Sequence, residues 1–147
     1  MNEAHLHLII NHLPIFATIL GAFVLGHGLF TKSNQTKVAA YNVLIIAAVG
    51  ACIAYFTGEG AEDAVKNLPD ILKTAIHQHE DYSLIALIAI IILGLAAIVG
   101  LFSTLRNSSL TRTIAYIVLL LSIICIILIG KASELGGKIR HATEISS

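Results

Sequence analysis

Charge is scarce in this sequence, and that scarcity sets its class. Of 147 residues only 12% are charged while 56% are apolar, and nine basic side chains balance nine acidic ones. A neutral, apolar chain of this size is not an ordinary water-soluble domain, and its charge balance gives no basis for binding nucleic acid. Exposed cysteines are also missing. The two present, Cys52 and Cys125, both fall inside apolar runs and read as small apolar residues, neither metal ligands nor a disulfide. The N-terminus carries Glu3, His5 and His7 but no Lys or Arg, and no small-residue cleavage site follows the first apolar run. It therefore reads as a retained helix and not as a cleaved signal peptide. No local metal motif of the His-Glu-x-x-His kind occurs, and no nucleophile motif. No Asp or Glu lies within the apolar runs to carry a proton path, which argues against a transporter.

What is present is four apolar runs, at about 13–30, 38–56, 84–102 and 114–130, each free of Lys, Arg, Asp and Glu. Each approaches the roughly 20 residues a helix needs to cross a bilayer. The expected fold is all-α: one polytopic membrane domain over residues 1–147, a four-transmembrane-helix bundle in a lipid bilayer. Small residues in the second run (Ala47, Ala48, Gly50, Ala51, Ala54) permit close backbone approach, and Ala17 and Gly21 offer a matching surface on the first. The fourth run has few small residues, so much of its surface should meet lipid. Pro14 either sits in the first turn of the first helix or kinks a helix that starts near Glu3. All four tyrosines (Tyr41, Tyr55, Tyr82, Tyr116) fall near expected helix ends, where interfacial anchoring would place them.

The polar centre of the chain is residues 57–82, between the second and third runs. This hinge holds six of the nine carboxylates and two of the seven histidines. Gly58 and Gly60 should stop the second helix, and the third should begin near Asp70, after Pro69. Along its projecting part Leu72, Ala75, Ile76, His79, Ser83 and Ala86 share a face at 100° per residue, while His77 points nearly opposite. The turns at 31–37 and 103–112 carry Lys32, Lys37, Arg106 and Arg112 without a carboxylate. The positive-inside rule then sets these turns in the cytoplasm, with both termini and the hinge outside.

These same residues carry a resemblance. His12-Leu13-Pro14, Thr57-Gly58-Glu59, Glu62, His79-Glu80 and Gly136-Gly137-Lys-Ile-Arg-His141 resemble the motifs of a bacterial four-helix membrane protein family known as domain of unknown function 2231. The likeness spans nearly the whole chain. It departs at Gly60, often proline in one subgroup that looks similar in these motifs, and at His77, which has no counterpart there. The resemblance implies a protein of the bacterial inner membrane. It names no activity, although some relatives look joined to electron-transfer domains.

Histidine with neighbouring carboxylates suits Fe, Mn or Zn. The expected metal ligands are His12, Glu62, His79 and His141, with Glu59 and Glu80 in support, in a centre that is redox or sensory and serves a periplasmic or membrane redox partner. The rival is a b-type haem held by His12 with His79 or His141, with Arg140 against a propionate. Two further readings remain open. One is a hydrolase in which Glu62 or Glu80 takes a proton from metal-bound water. The other is a scaffold without cofactor, in which the same groups cap helix ends and solvate the rim. His27, between Gly26 and Gly28, has no acidic partner and reads as interfacial.

Overall fold

Four helices account for all the regular structure in a computed structural model that describes the backbone of residues 3–58 and 70–145, and the side-chain surroundings of residues 12–56 and 77–135. They are α1 (Glu3–Phe30), α2 (Asn34–Gly58), α3 (Asp70–Leu105) and α4 (Thr111–Ile145), with no strand among the described residues. Each contains a stretch long and apolar enough to cross a membrane: His12–Phe30, Asn34–Phe56, His77–Leu105 and Thr111–Leu135. The protein is a multi-pass four-helix membrane bundle. Its helices extend past the apolar runs because polar flanking residues keep the helical hydrogen-bond ladder beyond the hydrocarbon layer. At 36 residues, α3 is about 54 Å long.

Of the two readings of Pro14, the second gives the start of α1: the helix begins at Glu3 and carries Pro14 inside it. One turn on, the buried Thr18 hydroxyl donates to the Pro14 carbonyl at 2.6 Å. α4 continues through Gly136 and Gly137 to Ile145, where a helix ending near residue 130 was expected. Glycine costs a helix only about 1 kcal/mol, too little here to end a long one.

The two short turns are built alike. Lys32 and Asn107 both adopt the left-handed conformation, with φ of 55° and 50°. Each closes its helix with a paired terminal motif: Ser33 N–H donates to Gly28 O and Lys32 N–H to Leu29 O, while Ser108 N–H donates to Ser103 O and Asn107 N–H to Thr104 O. Ser33 then caps α2 by accepting from the Thr36 N–H at 3.2 Å. Asn34 Nδ2 donates to Asn107 Oδ1 at 3.3 Å, tying one turn to the other.

Packing follows chain order: α1 lies on α2, α2 on α3, α3 on α4, and α4 returns to α1, so the diagonal pairs scarcely touch. Small residues set the close approaches. Leu44 occupies the space a Gly21 side chain would need, Ala48 faces Gly94, Leu13 faces Gly50, and the Tyr41 ring covers Gly100. Ala17 is buried beside them, as the spacing of small residues expected. Tyr41 corrects the interfacial reading of the tyrosines, for it is wholly buried in the core. Gly100 leaves a recess that an aromatic ring fills, and that packing outweighs the pull of the interface. Phe16, Phe23 and Phe30 line the outside of α1 instead, with many Ile and Leu of the other helices, as a lipid-facing surface requires. α4 meets lipid most: 22% of its membrane span is buried against 39% for α2.

Candidate functional site

His79 is the one candidate ligand that the described residues show facing into the bundle. The helical spacing that put it on the face of Ser83 and Ala86 turns it toward α4, where its Nδ1 lies 2.9 Å from the Ala132 carbonyl oxygen. A carbonyl only accepts, so Nδ1 carries the hydrogen and donates. In the neutral ring Nε2 is then the bare nitrogen, its lone pair directed away from that bond. Its nearest polar neighbour is the Ser83 hydroxyl at 3.5 Å, a weak contact. Ala132 could not have been picked out from the sequence, because a backbone carbonyl carries no residue-type signal.

His77 behaves oppositely. Its side chain is 79% exposed, and its Nδ1 is 3.2 Å from Glu80 Oε2. Glu80 is thereby drawn toward the outer face, away from the support role expected for it beside His79. His12 is exposed on α1, its ring edge-on to Phe16 at 6.4 Å between centroids. Glu134, near Ala132 on α4, faces outward and accepts from Lys131 at 3.4 Å. Glu59 and Glu62 lie outside the described residues, as do the side chains of Arg140 and His141.

Bundle register separates the histidines in height. Leu13 meets Gly50, and Ala48, two residues earlier on α2, meets Gly94. Since α2 and α3 are antiparallel, Leu13 stands level with about residue 92 of α3, which leaves His12 about 18 Å from His79 along the bundle at 1.5 Å per residue. On α4, His141 stands nine residues beyond Ala132 in one unbroken helix, about 13 Å further out. Two ring nitrogens on one ion lie within about 4 Å of each other, given metal–nitrogen bonds near 2 Å. At these heights His12 and His79 do not meet, while the side chain of His141 lies outside the described residues. The unbroken α1 is the physical reason for the first, since Pro14 does not fold the chain back.

Closer in height to His79 are two other groups. One is the first turn of α1, with Glu3 and His5. The other is the end of α2, where Gly58 stands level with about residue 84 of α3; Glu59 and Glu62 come next in sequence, outside the described residues. Among the described residues no three His, Cys, Asp or Glu side chains gather at one point. At the small residues Leu13, Leu44, Ala48 and Tyr41 fill the spaces over Gly50, Gly21, Gly94 and Gly100. Cys52 and Cys125 are both free, one half-buried and one buried, on the diagonal helices α2 and α4.

No protein-family model matches the chain, and neither a curated protein nor a solved structure is significantly similar to it. The likeness to the domain of unknown function 2231 proteins rests on the quoted motifs alone.

Proposed function

We propose that the protein carries a transition-metal centre at the hinge end of the bundle, with His79 as the anchoring ligand through Nε2. The observation that carries this reading is the Nδ1–H bond from His79 to the Ala132 carbonyl. Metal-binding histidines commonly donate their second ring nitrogen to a backbone carbonyl or carboxylate, which fixes the tautomer and strengthens the bare nitrogen as a donor. Glu62 and Glu59 complete the set from the hinge, with His5 of α1 at similar height; His12 and His141 stand outside it. A His/carboxylate donor set suits Fe, Mn or Zn. The centre is redox or sensory and faces the outer side of a bacterial inner membrane, where a redox partner reaches it. Membership of the domain of unknown function 2231 family belongs to the same proposal.

Elemental analysis and an absorption spectrum of detergent-purified protein, before and after reconstitution with Fe, Mn and Zn salts, test the reading. Stoichiometric metal without a Soret band is the expected result. A Soret band would establish the haem reading, and protein that binds neither would leave the His79–Ala132 bond as a helix clamp in a scaffold.

A further inference from the structure

The opposite end of the bundle holds a second polar feature, independent of the metal reading. A cavity of about 220 Å³ opens between the two short turns, lined by Leu29, Lys32, Lys37 and Arg112. Three of its four walls are cationic. No carboxylate occurs in residues 31–37 or 103–112, so no anion from either turn balances them. Lys37 is only 7% exposed, and the partner of its ammonium is the neutral Asn34 Oδ1 at 3.0 Å. A buried ammonium without a counter-charge is costly. Placement raises that cost, because Lys37 and Arg112 sit in the first turns of α2 and α4, where the helix dipole is positive and favours anions. Lys32 adds its charge from a left-handed backbone position that glycine would occupy with less strain. Arg112 is steadied over the Tyr116 ring at 5.8 Å, and Tyr116 is half exposed near the helix end, the level of lipid headgroups.

We propose that this cavity binds a phosphate group, either the headgroup of an anionic phospholipid or a soluble phosphate. The volume is far above the roughly 15 Å³ that a single water needs. Lys32, Lys37 and Arg112 supply the charge, and Leu29 supplies an apolar wall for the glycerol end of a lipid. Basic pockets between membrane helices are suited to such headgroups, with about a fivefold gain in affinity per basic side chain near the surface.

The test uses delipidated, detergent-purified full-length protein titrated with phosphatidylglycerol, with phosphatidylcholine of the same chains, and with inorganic phosphate. Binding is read by native mass spectrometry and by thermal shift. Phosphatidylglycerol should bind at least about tenfold more tightly than phosphatidylcholine if the occupant is a lipid. Inorganic phosphate should bind by itself if the source is soluble. In either case Lys32→Gln/Arg112→Gln should lose about 25-fold, two charges at fivefold each, while Arg106→Gln stays within about twofold because Arg106 does not line the cavity. Both residues of the double variant are exposed, so its folding does not hinge on the buried Lys37. Absence of preferential binding by either probe, or an equal loss in Arg106→Gln, would overturn the site.

Discussion

At the scale of single residues the bundle shows which polar groups are paired and which are not. Thr18 and Ser122 are buried but donate to carbonyls one turn back on their own helices. Tyr41 Oη and Thr104 Oγ1 are buried polar neighbours that find no other hydrogen-bond partner among the described residues. So weak a contact makes the hydroxyl worth at most about 1 kcal/mol, whereas the ring itself fills the recess over Gly100. Tyr41→Phe should therefore change unfolding stability by less than about 1 kcal/mol, and Tyr41→Ala should cost about 3–5 kcal/mol. Denaturation of purified protein in mild detergent reads both. A loss above about 1.5 kcal/mol in Tyr41→Phe would reveal a partner beyond Thr104. The directions of His77 and His79 were legible from helical spacing. The role of Tyr41 was not, because its burial depends on a glycine 59 positions away.

For the helices as elements, the contacts between them rest on small residues, and at Gly94 the neighbour cannot yield. A side chain at Gly94 would meet the Ala48 Cβ at 2.6 Å, an atom that moves only if α2 moves. Gly94→Ala should cost about 1–3 kcal/mol, and adding Ala48→Gly should restore much of it. By contrast nothing lies within 4 Å of a side chain built at Gly26. Gly26→Ala should be neutral or stabilising by up to about 1 kcal/mol, since it only improves helix propensity. The same unfolding assay decides between them; equal effects at both positions would refute the packing. Hydropathy located all four helices, because an apolar run of spanning length has few alternatives. Their ends were harder to place, since Pro14 and Gly136–Gly137 are breakers only when the surrounding helix is too short to absorb them. The height of His12 relative to His79 was illegible for the same reason.

For the whole molecule, the acid-free basic turns at one end and the carboxylate-rich hinge at the other give it a polarity. In a background with Cys52 and Cys125 replaced by alanine, a cysteine at Asn34 should resist a membrane-impermeant thiol reagent in intact cells. One at Asn67, in the hinge between α2 and α3, should react. Reversed labelling would place the hinge inside the cell and move any redox partner with it. The same end carries the metal reading, and there two histidines one residue apart provide the contrast. His79 is held against α4 with Nε2 bare, and His77 points to the outside beside Glu80. The most direct measurement is the metal-to-protein ratio of the parent, His77→Ala and His79→Ala, each reconstituted alike and checked for helix content and monodispersity. The account predicts stoichiometric metal in the parent and in His77→Ala, and little or none in a folded His79→Ala. Metal retained by His79→Ala, or no metal in the parent after reconstitution, would contradict it.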